Sequence, residues 1–334
     1  MLNIKQIRPL DAAIVGVLVL VIVLAGYIGY SIWAENQWMK TSSPAAREIA
    51  ALSAKIRRNP NDFDSRMRLA QALALAGRDN EAIEQYKAVL KANKKYVPAL
   101  NGIGFEYLKQ KQWKEGEGYF RKVVALTENE NAGTGPSPLE TAYFYLGTAL
   151  MEQRQYEDAA GYFKAALRLR RDSSDSSYAL AVCYLKLGIM DGYEQSLVYT
   201  LQFDPNMPEA NYDYAMLLLK KKDIAGAAEH FRRSADAAPD VDKPQVELSK
   251  LGNAKERLAK AVQLKASNPA NALVEARIAS ALDPRSVEAL VLVGELYEAQ
   301  KQPDKASAAY DKVLTLDPGN AAATAGLKRV GSGS

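Results

Sequence analysis

The sequence predicts an all-α solenoid of stacked helical hairpins, preceded by one transmembrane helix. Three observations carry that expectation. Residues 208–241 read as two amphipathic helical segments joined by a polar turn at Lys221-Lys222-Asp223. Hairpins of the same kind recur along the chain, mostly at steps of 34 residues. Residues 12–33 are a nearly uncharged apolar run. A single helical hairpin cannot bury both of its faces, so it needs neighbours, and the recurrence supplies them.

The N-terminal run comes first. Its 22 residues, at about 1.5 Å of rise each, reach roughly 33 Å, enough to cross a bilayer. Tyr27, Tyr30 and Trp33 crowd one end, as an interfacial aromatic belt does. A cleaved leader is the main alternative, but its apolar core is shorter and ends in a small-x-small site. Ala25-Gly26-Tyr27 is a poor one. Lys5 and Arg8 precede the run, against Asp11, while Glu35, Lys40, Arg47 and Glu48 mix signs after it. The positive-inside rule then puts the N-terminus in the cytoplasm. The repeats would stand on the outer (periplasmic or extracellular) side of a bacterial cytoplasmic membrane. The expected organisation is a flank at 1–11, the membrane helix at 12–33, and a linker with a leading helix at 34–62. The repeat array follows at 63–320, then a capping helix and flexible tail at 321–334.

Pro44 suits a helix start, and Ile49, Leu52 and Ile56 give the leading helix one apolar face. From Phe63 the repeats start at 63, 97, 140, 174, 208, 253 and 287. Two steps are longer, one by nine residues and one by eleven. The first surplus falls in a Gly/Pro/Ser-rich loop at 129–138. The second, at 242–252, reads as an extension of the helix that follows, because VELSKL continues into AKERLAKAVQLKA at helical spacing. Asp-Pro pairs at 204–205, 283–284 and 317–318 stop helices, since proline cannot donate the next hydrogen bond.

The spacing of small and aromatic residues resembles the tetratricopeptide-repeat family. The third repeat carries Tyr143, Leu146-Gly147, Leu150, Ala159, Phe163 and Ala166. The fifth carries Tyr214-Ala215, Leu218, Ala227, Phe231 and Pro239, and the seventh Leu290, Val293-Gly294, Tyr297, Ala306, Tyr310 and Pro318. The first and second match with Leu69-Ala70, Leu73, Ala82 and Tyr86, and with Ile103-Gly104, Tyr107, Gly116 and Phe120. Two repeats depart. Tyr193 replaces a small residue in the fourth, and Lys260 falls at the close-contact position of the sixth, which suggests looser packing or a bend. The resemblance implies a right-handed solenoid of about seven helix-turn-helix units whose first helices line a concave, partner-binding face.

On that geometry, inward positions of repeats two to five gather Asn101, Phe105, Phe144, Tyr178, Tyr212 and Met216 as a partner-binding groove. Aromatic residues make effective anchors and methionine adapts to varied partners. The same side chains could instead pack within the array. The Lys/Asn pair with which some family members hold a partner's C-terminal carboxylate is absent from every repeat.

Composition narrows the function classes. The chain of 334 residues is 48% hydrophobic and 25% charged, with net charge +4. That is ordered protein without the basic stripe that nucleic-acid binding requires. One cysteine, Cys183, precludes an intramolecular disulfide, and one histidine, His230, precludes a multi-His metal centre. Cys183 reads as a buried thiol and His230 as a surface residue. Gly102-Ile103-Gly104 lacks the strand and third glycine of a dinucleotide loop. No constellation points to catalysis, a cofactor or a metal. The expected function is a membrane-anchored protein-interaction scaffold or assembly factor that binds an extended or helical partner segment, with the lipid bilayer as a second partner through residues 12–33. An apoprotein chaperone of the cytochrome c maturation type and a structural subunit bracing a larger assembly are the alternatives.

Overall fold

A computed structural model describes Leu18 and residues 20–33, 43–128 and 137–331. Every regular element among them is an α-helix. Residues 20–33 form α1, whose apolar side chains from Leu20 to Trp33 are exposed. No helix among the described residues is long and apolar enough to cross a membrane. Residues 12–17 and 19 of the expected span lie outside the described residues, as do the tail at 332–334 and most of the loop at 129–138.

The chain divides into two compact units, Met1–Ala149 and Leu150–Ser334. In the first, α2 (Pro44–Arg58) starts where Ser43 caps the amide of Ala46 at 3.1 Å, with proline in the first turn. Its Ile49, Leu52 and Ile56 are buried against α3 (Phe63–Leu75). Two hairpins follow. One pairs α3 with α4 (Asp79–Ala92), the other α5 (Val97–Lys109) with α6 (Trp113–Thr127). Lys109 joins them, reaching Asp79 at 2.6 Å and the buried Glu106 at 2.8 Å. The two glycines of Gly102-Ile103-Gly104 serve packing. A Cβ at Gly102 would come within 2.6 Å of the Tyr86 ring, and one at Gly104 within 2.9 Å of the Phe120 ring. The boundary between the units falls within α7 (Pro138–Glu152).

The second unit continues with α8 (Tyr156–Leu169), α9 (Ser174–Leu187), α10 (Met190–Phe203), α11 (Pro208–Lys220) and α12 (Ile224–Ala237). Then comes a departure from the sequence reading. Residues 242–252 do not lengthen the following helix; they form a separate short helix, α13 (Asp242–Ser249). The chain breaks at Gly252, whose φ of 109° suits glycine, and restarts where Asn253 caps Lys255 and Glu256 to begin α14 (Ala254–Leu264). Arg257 holds the corner by donating to the Leu251 carbonyl at 2.6 and 3.0 Å. Helix α12 packs against both α13 and α15 (Pro269–Leu282), and α14 packs on α15. Leu248 of α13 is buried in the cluster that contains Phe231, Ala235 and Ile278. Arg277 and Glu229 add a two-pronged ion pair at 2.7 and 3.0 Å between α15 and α12.

The sixth hairpin also corrects the expected contact residue. Ala261, not Lys260, is buried against Ala272 and Ala276, while Lys260 turns outward to pair with Glu275 at 2.6 Å. The register of α14 is therefore one residue later, which restores a small side chain at the crossing. The array closes with α16 (Val287–Ala299), α17 (Pro303–Leu316) and α18 (Ala321–Gly331). The fully buried Tyr310 ring lies where a Cβ on either Gly294 of α16 or Gly326 of α18 would overlap it. Its hydroxyl donates to Glu298 at 3.0 Å, and Glu298 in turn receives Arg329 at 2.6 and 2.9 Å.

The hairpin turns share one backbone device. Gly77, Lys111, Arg154, Gly188, Lys222 and Lys301 all have φ between 56° and 73°. The next residue's amide then reaches back across the turn, as Gln112 does to the Tyr107 carbonyl at 2.9 Å and Asp223 to Leu218 at 3.0 Å. This is the left-handed helix ending that glycine favours. Four of the six positions instead carry a cation, which suits the negative end of the helix dipole but strains the backbone. Replacing Lys111, Lys222 or Lys301 by glycine is expected to stabilise the fold by roughly 0.5–1 kcal/mol per site, the relief of strain exceeding the extra freedom of the unfolded chain. Gly188→Ala should cost about 1 kcal/mol. Denaturant midpoints measure both, and a loss of stability in the lysine variants would refute the strain.

Candidate functional site

The six expected groove residues fall into two groups, one in each unit. In the first unit, Phe105 of α5 is exposed and Phe144 of α7 half-buried. Tyr145 connects them, edge-on to Phe105 at 5.4 Å and to Phe144 at 5.2 Å, while stacking on the buried Phe120. Asn101, one turn before Phe105, has its amide oxygen buried without a hydrogen-bond partner. These rings are thus partly spent on packing, with only Phe105 offering substantial free surface.

In the second unit, the expected residues converge on a cavity of about 260 Å³. Tyr178 of α9 and Tyr212 of α11 line it, together with Glu209, Asp213, Lys243 and Pro244. Met216 is half-buried one turn after Tyr212, against the Phe231 cluster. The Tyr178 hydroxyl donates to Asp213 at 3.1 Å, from one repeat to the next. The buried Tyr193 of α10 brings its hydroxyl close to the same carboxylate and favours its charged form. Burial, followed by the nearby Asp213 charge, pushes both phenols well above their ordinary range, so they remain donors. Burial likewise raises the Asp213 carboxyl, against the pull of the two hydroxyls and of Lys243. Tyr212 leans on Phe231 at 5.6 Å, and the Lys243 ammonium sits 4.8 Å above its ring. The arrangement is amphipathic: aromatic walls, two carboxylates and one cation. No group of three or more His, Cys, Asp or Glu side chains among the described residues could hold a metal ion.

Two models described as tetratricopeptide repeat match the chain, one over residues 145–192, 193–242 and 262–321 and the other over 42–100. Together they span well over half of the sequence. The chain belongs to the tetratricopeptide-repeat family. Among solved structures it is similar to YrrB, described as a tetratricopeptide protein with an unusual peptide-binding site, at 21% identity over 59% of this chain and 97% of that one, with a TM-score of 0.46. It is also similar to MamA from Desulfovibrio magneticus, at 18% identity over 55% and 98%, TM-score 0.47. Pseudomonas aeruginosa PilF gives 14% identity over 81% and 97%, also with a TM-score of 0.47. No curated protein sequence matches.

Seen as a tetratricopeptide array, the second unit explains residues that sequence reasoning missed or misplaced. Tyr193 does occupy a small-residue position, yet it is buried against Ala181, Leu197 and Ala210. The neighbouring Gly192 makes room, since a Cβ there would approach the Tyr184 ring to 2.9 Å. The sequence reading did not single out Asp213, a polar residue on α11. Lys243 was assigned to a helix extension that does not form. Cys183 is buried, and burial pushes its thiol up to about 12.

His230 is not a surface residue. It is half-buried, edge-on to Tyr214 at 4.9 Å, and its Nδ1 lies 2.8 Å from the Asn211 side-chain oxygen. Asn211 is fully buried and gives its amide hydrogens to the Pro205 and Met207 carbonyls, each at 2.9 Å. Its oxygen must therefore accept, which places the proton of neutral His230 on Nδ1. Burial, with Arg233 nearby, lowers the His230 pKa from 6.5 to about 4. The unfolded chain takes up the extra proton first, so stability is lost as pH falls through the window from 6.5 to about 4. Between pH 7 and pH 4.5 this loss should be on the order of 2 kcal/mol. His230→Gln should remove that component from paired denaturation curves; an unchanged pH dependence would contradict the assignment.

Proposed function

We propose that this tetratricopeptide chain is a membrane-anchored protein-interaction scaffold that captures an extended or helical segment of a partner protein. The observation that carries the reading is the cavity of the second unit. There the array leaves Tyr178 and Tyr212, from successive repeats, half-buried around a space of about 260 Å³ instead of closing over them. A site of this size accepts one anchoring side chain of a segment, with Met216 beside it to adapt to the neighbouring residue. The apolar run at 12–33 supplies the anchor in this reading. It is supported by its length, its aromatic end and the exposed apolar side chains of α1. The repeats then stand on the outer side of a bacterial cytoplasmic membrane.

Tyr212→Ala combined with Met216→Ala is expected to cut recovery of the partner from native membranes by about tenfold or more, with helicity unchanged. Full recovery would reject the groove. The anchor is tested by alkaline carbonate extraction, which should leave the chain in the membrane fraction.

Orientation can be read with a cysteine placed in the 129–138 loop. The native thiol adds little background, because Cys183 is buried and pushed up to about 12. An impermeant maleimide should label the loop in cells whose outer barrier is opened; protection from it would reverse the orientation.

A further inference from the structure

The cavity also indicates what kind of side chain it receives. Resting on the reading above, we infer that it is a receptor for an arginine of the partner segment, and that Lys243 is an internal stand-in for that arginine. Four features lead there. First, the lining carries two carboxylates, Glu209 and Asp213, against one ammonium. Glu209 is exposed and makes no ion pair among the described residues. Second, Asp213 is preorganised, held by the Tyr178 hydroxyl of the preceding repeat at 3.1 Å. Third, the Tyr212 face already holds a cation, with Lys243 Nζ 4.8 Å from the ring centroid. Fourth, beyond that ring and its attraction for Asp213, the cation is uncommitted. Lys243 is exposed, makes no ion pair among the described residues, and sits at the start of the short inserted α13.

An ammonium over a ring can be displaced by a guanidinium, which stacks on tyrosine through its plane and meets carboxylates with a two-pronged donor fork. The lysine left behind is long enough to return its charge to water. The cavity, at about 260 Å³, suits a side chain better than a larger ligand. The eleven-residue insertion of the fifth-to-sixth junction thus supplies both a wall of the site, in Pro244, and its built-in competitor.

The test uses the full chain in detergent and two small probes, N-acetyl-arginine amide and its neutral isostere N-acetyl-citrulline amide, read by saturation-transfer NMR. Arginine should give side-chain signals and citrulline should give several-fold weaker ones. Glu209→Gln, at an exposed position whose change leaves the core untouched, should weaken arginine binding by about tenfold. Lys243→Met should strengthen it several-fold, because the competitor is gone. Equal signals from the two probes, or weaker arginine binding in Lys243→Met, would overturn the inference. Loss of partner capture in the Tyr212/Met216 variant alongside equal probe signals would keep the groove and reject only the arginine subsite. Arginine preference without that loss would do the reverse.

Discussion

The architecture depends on backbones that approach closely wherever a small residue faces an aromatic ring. Tyr310 sits between Gly294 and Gly326, Phe120 on Gly104, Tyr86 on Gly102, and Tyr184 on Gly192. Each contact removes a side chain from one helix so that another can fill the space with a large flat one. That gains dispersion and burial together, and it fixes the crossing point of the two helices. Because each hairpin leaves an apolar face for the next, this local device propagates along the chain. It also decides which residues are left over for binding: those on first helices that face neither their own hairpin nor the next.

Much of this was legible because the small-aromatic spacing is strictly local. Ala82 with Tyr86 and Ala227 with Phe231 can be read four residues apart on one helix. What failed was register where the period slipped. VELSKL and AKERLAKAVQLKA carry compatible helical spacing, and spacing cannot show that Gly252 takes a left-handed conformation with Asn253 capping a new helix behind it. The one-residue shift that brings Ala261 to the crossing follows from the same break. The turn at Lys221-Lys222-Asp223 was read only as polar, since lysine gives no sign in sequence that it will occupy a glycine-like backbone state.

The candidate site was half legible for a related reason. Tyr178, Tyr212 and Met216 follow from position within a repeat. Asp213, Tyr193 and Lys243 matter through contacts between repeats and through an insertion, neither of which any single repeat encodes. His230 was misjudged because its partner, Asn211, lies on the other helix of its hairpin and is itself fixed by the turn before that helix.

The shared carboxylate of Asp213 has a consequence for modularity. Repeat arrays ordinarily tolerate gain or loss of whole units, since each unit meets only its neighbours through similar surfaces. At this junction the units are not interchangeable. Deleting the fourth repeat in frame would preserve the helical phase but take away the Tyr178 hydroxyl, leaving a half-buried acid against whatever replaced it. The fourth and fifth repeats therefore behave as one piece in any recombination of the array.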